Sequence, residues 1–112
     1  MKKIIAFISL VSFFASCAPN NLYYWGKYDQ ATYQFNKTQT EESRVKLLST
    51  YEDIIKNKAK SLSKEVPPGI YADYGYLLIQ DGQIAKGKEM LEKELSIYPE
   101  SKKMVEYILK KL

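Results

Sequence analysis

Apolar residues recur along this chain at the three- and four-residue spacing of helices, and no run alternates in the manner of a strand. Tyr24, Tyr28, Ala31 and Phe35 make one face of a first helix over roughly 23–36, with Gly26 leaving its start open. Thr38-Gln39-Thr40-Glu41 has capping-box spacing, with Thr38 as N-cap and Glu41 at N3. A long helix is predicted from there to about Ser61. Its inward stripe reads Leu48, Tyr51, Ile55, Ala59 and Leu62, with Val45 and Ile54 alongside and Lys46, Glu52, Lys56 and Lys60 opposite. Val66-Pro67-Pro68-Gly69 is a clear break, because proline suits a helix's first turn and not its interior. A third helix over about 68–81 puts Tyr71, Tyr74 and Leu78 on one face, flanked by Ile70 and Leu77. Gly82 ends it in the left-handed conformation. The fourth, over about 84–97, carries Ile84, Gly87, Leu91 and Leu95 and stops before Pro99. Ser101 then N-caps a last helix. Met104, Val105, Ile108, Leu109 and Leu112 form its apolar side, and Lys102, Lys103, Lys110 and Lys111 the other. The expectation is an all-α chain of about five helices.

The first residues follow a different pattern. Lys2 and Lys3 precede an apolar run from Ile4 to Phe14, and Ala15, Ser16 and Cys17 follow it. That is the order of a secretory signal, and the run is too short to span a bilayer. Phe14-Ala15-Ser16-Cys17 resembles the lipobox of bacterial lipoproteins, with Phe14 where leucine is usual. The resemblance implies a signal peptide over 1–16, acylation of Cys17, and a lipidated tether over 17–22 ahead of a helical domain over 23–112. The bland readings are a buried free thiol or ordinary cleavage near Ala15. A lone cysteine in an exported chain needs a partner or a modification, and its place after Ala15-Ser16 favours lipid. Ala18 is not the aspartate that retains such proteins at the inner membrane. The resemblance therefore implies the outer membrane, facing the periplasm, with the membrane itself as a first partner.

Composition removes several chemistries. The chain has no histidine and a single cysteine, so imidazole bases, histidine metal sites and spaced cysteine ligands have no material. No phosphate-binding glycine loop occurs, and no cofactor or metal is expected. Glu41-Glu42 and Glu52-Asp53 are adjacent on helices, where neighbouring side chains diverge, so they read as solvated charges rather than an acid–base pair. The formal charge of +4 drops to +2 without Lys2 and Lys3, and the remaining charges are mixed. Neither a nucleic-acid stripe nor a nucleic-acid partner follows. Ten tyrosines are the distinctive feature. They either fill gaps between helices or present amphipathic rings to a partner. On the second reading the candidates are Tyr23, Tyr24, Trp25, Tyr71 and Tyr76.

The third and fourth helices fit the 34-residue register of the tetratricopeptide repeat, a helical hairpin, when Pro68 takes the first position. Tyr74 and Gly75 fall on its Leu-Gly pair, Gly82 on the turn, Gly87 on the small residue between helices and Pro99 on the terminal proline. Tyr71 replaces the usual tryptophan. Glu94 stands in an alanine position, which predicts looser packing of the next helix there. A generic helical hairpin remains the alternative. The first two helices make a divergent pair, and the last helix serves as a cap on the open apolar end.

Tyr23-Tyr24-Trp25-Gly26-Lys27-Tyr28, the Val66-to-Leu78 stretch and Tyr98-Pro99-Glu100-Ser101 resemble a family of small bacterial lipoproteins of the domain-of-unknown-function type. Its members are typically encoded beside a lipoprotein resembling the curli secretion channel. The resemblance implies an envelope complex and supplies no catalytic residue. The function expected is a non-enzymatic adaptor or subunit of an outer-membrane lipoprotein complex. The alternative is a peptidoglycan- or carbohydrate-binding envelope protein.

Overall fold

The structure, a computed structural model, describes residues 21–112; the expected signal peptide, Cys17 and the start of the tether lie outside these residues. Five α-helices follow in order: α1 (Tyr28–Thr38), α2 (Glu41–Lys56), α3 (Ile70–Gln80), α4 (Ile84–Ile97) and α5 (Lys102–Lys110). Short 3-10 turns occupy Lys58–Lys60 and Pro99–Ser101, and no strand occurs among the described residues. The all-α architecture matches the periodicity. α1 pairs with α2, α3 pairs with α4, and α5 packs back on the second pair.

The α1–α2 turn departs from expectation. α1 runs through Thr38, whose hydroxyl donates to the Gln34 carbonyl (2.8 Å), so Thr38 is not a cap. Gln39 turns left-handed at φ 47°, and Thr40 caps α2 instead. Thr40 Oγ1 accepts from the Ser43 amide (3.1 Å), and the Thr40 amide donates to Ser43 Oγ (3.0 Å). Threonine recurs two residues apart here, and the later one lies where the chain has already turned.

α2 also shows a shifted stripe. Ser43, Leu47, Tyr51 and Ile54 are its buried residues, whereas Val45, Ala59 and Leu62 are exposed and Leu48 and Ile55 half-buried. The helix contacts both α1 and α3, so its buried face is set between two neighbours. It stops at Lys56, earlier than expected. Asn57 Nδ2 donates to the Asp53 carbonyl (2.9 Å) and to Asp53 Oδ1 (2.8 Å), a local bond of the kind that competes with helix continuation.

The α3–α4 hairpin is the tightest contact. The Gln83 amide donates to the Leu78 carbonyl (2.9 Å), with Gly82 at φ +88° in the turn as expected. Further in, a Cβ on Gly75 would stand 2.6 Å from the Gly87 carbonyl oxygen. One on Gly87 would meet the Gly75 carbonyl oxygen at 2.6 Å and Ile79 Cγ1 at 2.5 Å. The two backbones touch, and no side chain fits between them.

Glu94 corrects the expectation of loose packing. It is fully buried (0% exposed), and its Oε1 accepts from the Gly69 amide (2.7 Å) and the Ser101 hydroxyl (2.9 Å). A negative group at the start of α3 also suits the helix dipole. Ser101 is thereby drawn to Glu94 and does not cap α5. Of the apolar side expected for α5, Val105 and Ile108 are buried with Ala72 and Leu91, while Met104, Leu109 and Leu112 are exposed. The 61–69 connection is anchored as well. The Leu62 and Ser63 amides donate to the Asn21 and Leu22 carbonyls (3.0 and 3.1 Å), and the Tyr98 hydroxyl donates to the Val66 carbonyl (2.6 Å).

Two stability outcomes follow. Gly87→Ala forces backbone or Ile79 to move and lowers unfolding free energy by at least about 2 kcal/mol in a denaturant titration. Glu94→Ala strips the acceptor from two half-buried donors and costs about 2 kcal/mol, with Glu94→Gln, which keeps an acceptor oxygen, costing less.

Candidate binding groove

Two hairpins lying side by side leave a groove of about 380 Å³ between α1, α2 and α3. Helical spacing delivers its walls. Tyr28, Thr32, Phe35 and Asn36 come from one face of α1, and Leu47 and Tyr51 from α2. Asp73, Tyr76, Leu77 and Gln80 come from α3 at the three- and four-residue spacing of one helical face. A larger depression of about 530 Å³ between α1 and α2 is lined by groups such as Gln30, Gln34, Lys46 and Ser49, without an aromatic ring or an acid. The smaller groove is the one with chemical character.

A line of rings passes through its wall at Tyr28 and Tyr51. Tyr23 meets Trp25 edge-on (centroids 6.5 Å apart), and Trp25 lies 5.3 Å from Tyr28. Tyr28 is 6.3 Å from Tyr51, and Tyr51 is 5.8 Å from Tyr74. The line passes from an exposed tryptophan (44%) to a buried tyrosine. Tyr74 is fixed at the inner end by donating to Glu52 Oε1 (3.0 Å).

Asp73 is the one charged residue of α3 and the one charged residue lining the groove. Burial raises its carboxyl above the ordinary aspartate value. The Glu94 charge adds to this, and the Tyr28 hydroxyl acts in the opposite sense. The tyrosines register the same field. Burial is the main cause of the raised Tyr28 and Tyr51 hydroxyls, and the charge of Asp73 is the next.

The five residues singled out from the sequence separate. Tyr76 lines the groove, and Trp25 joins it through Tyr28, with Tyr23 beyond. Tyr24 points elsewhere. Its hydroxyl donates to Asp53 Oδ2 (2.8 Å), and it borders a separate depression with Ser49 and Thr50. Tyr71 is a core residue, 4% exposed, and does not line the groove. Its place on the Tyr71–Tyr74–Leu78 face already implied that. Tyr28, Tyr51 and Asp73 were missed as site residues. The tyrosines fitted core stripes, and the one signal for Asp73 was an unpaired acid inside an otherwise uncharged helix.

A family described as a domain of unknown function (DUF4810) matches residues 22–108. The chain belongs to that family. No curated protein and no solved structure matches it. The match covers α1 to α4 and most of α5 and assigns no residue a role, so the groove stands on its own geometry. Among the described residues no group of three or more acidic, histidine or cysteine side chains is placed to hold a metal ion. No described helix is long and apolar enough to cross a membrane.

The environment of Asp73 has a measurable consequence. Its folded-state pKa is raised, so the folded protein binds the proton more readily than the unfolded chain, and ionisation opposes folding at neutral pH. The penalty is absent below the ordinary aspartate pKa of about 3.9. Asp73→Asn therefore raises the melting temperature at neutral pH, and the gain shrinks as the pH falls through the carboxylate range, as thermal melts across pH will show.

Proposed function

We propose that this protein is a lipid-anchored adaptor or subunit of an envelope complex, seating a segment of a partner protein in the groove between its hairpins without chemistry of its own. The observation that carries the reading is the groove itself. Aromatic rings run into it from an exposed tryptophan, and rings of this kind anchor protein interfaces. The absence of histidine from the sequence and the presence of one isolated carboxylate in the groove support a binding role over a catalytic one.

The sequence around Cys17 supports acylation and export, with the outer membrane's periplasmic face as the place of work. The backbone contact between Gly75 and Gly87 supports the tetratricopeptide-like reading of α3 and α4, since the repeat keeps small residues where its helices meet. The partner proposed is an envelope lipoprotein or channel, in line with the gene neighbourhood that the family resemblance implies.

The test is crosslinked affinity purification of the tagged, lipidated protein from native membranes, compared with three variants. Wild type recovers one envelope partner. Cys17→Ala loses the membrane fraction, while Trp25→Ala and Tyr76→Ala stay in membranes and recover the partner several-fold less well. Undiminished recovery with both aromatic variants removes the groove from the interface. Specific retention of peptidoglycan instead of protein moves the assignment to cell-wall binding.

A further inference from the structure

The groove contains a charge without a counter-charge. None of the four ion pairs among the described residues involves Asp73. Two basic side chains, on α2 and α4, are engaged elsewhere. Arg44 pairs with Asp81 (3.4 Å), and Lys86 sits 5.7 Å from the centroid of the Tyr74 ring. No lysine or arginine lines the groove. A half-buried carboxylate in such a place is costly unless something pairs with it.

The surroundings define what pairs best. Tyr28, Tyr51 and Tyr76 share the groove with Asp73, and the faces of aromatic rings attract cations. An acid that shares a groove with three tyrosine rings therefore suits a cation on a slender apolar stem. At the rim, Asn36 and Gln80 are exposed on facing helices, and their carboxamides both donate and accept, as the backbone of an extended segment requires. A neutral sugar satisfies the rim and leaves the carboxylate unpaired. A peptide carrying a basic side chain satisfies both.

We propose that the groove takes a lysine or arginine side chain of the partner segment, the charged head meeting Asp73 between the rings of Tyr28, Tyr51 and Tyr76. Arginine is the better fit, because its planar, weakly hydrated guanidinium stacks on rings while it pairs with a carboxylate. This inference rests on the adaptor reading and gives the partner its chemistry. The raised pKa of Asp73 is consistent with an acid that waits for a cation.

The direct test titrates the full lipidated chain in detergent micelles with n-butylguanidinium, using n-butanol as the neutral control and following the carboxyl carbon of Asp73 and the three rings by NMR. Saturable shifts confined to these groups are expected with the guanidinium and not with the alcohol. Asp73→Asn weakens the binding by about tenfold. Absence of saturation, or equal shifts with n-butanol, overturns the proposal on the wild-type protein alone, whatever the variant does to folding. Partner purification then separates the two readings. Asp73→Asn recovering the partner as well as wild type overturns the cation pocket and leaves the adaptor standing. Saturable guanidinium binding with no protein partner recovered from wild type keeps the pocket and overturns a partner protein as the source of the cation.

Discussion

The fold depends on two helices whose backbones touch. With Gly75 and Gly87 each closed to a Cβ by the other's carbonyl oxygen, α3 and α4 have one way to cross. Two turns beyond that contact, Glu94 arrives beside the first amide of α3, and its carboxylate gathers Gly69 and Ser101 on a single oxygen. The start of α3, the end of α4 and the approach to α5 thus meet at one buried group. A looser crossing would carry that carboxylate away from both donors and leave it buried with neither oxygen satisfied.

The groove is the other product of this arrangement. α3 gives its apolar residues to the core and still points Asp73, Tyr76 and Gln80 toward α1. The α1–α2 pair supplies the opposite wall. The core residue Tyr51 serves both, since one ring packs among buried side chains and also lines the groove. Packing and recognition therefore share atoms. Asp73 is where they pull apart, because its charge weakens the folded state at neutral pH while giving the groove its chemical preference.

Much of this was legible in the chain, and the rest failed for identifiable reasons. The bounds of α4 and the turn at Gly82 follow from strong local signals, and the structure has both. The cap of α2 moved from Thr38 to Thr40 because α1 runs on through Thr38, and Ser43 closes the box in place of the glutamate that the pattern favours. The stripe of α2 rotated toward Leu47 and Ile54 because a helix wedged between two neighbours buries the face they jointly cover. Periodicity placed Tyr71 on an inward face, and aromatic content alone made it a candidate for binding. Glu94 was read by its departure from a repeat pattern, whereas its role comes from Gly69, which lies 25 residues away along the chain. Asp73 acquires meaning from α1 and α2, two elements that its own helix does not reveal.

The pairing of Asn21 and Leu22 with Leu62 and Ser63 has a geometric consequence under the proposed acylation of Cys17. Three residues lie between Cys17 and Asn21, four Cα-to-Cα steps and a leash of about 14 Å at full stretch. That is shorter than the roughly 30 Å width of a small domain. A body fastened so close to its anchor cannot roll over on the bilayer. Under that proposal the side bearing the 61–69 connection stays next to the lipid, and a docking partner approaches from the directions that remain.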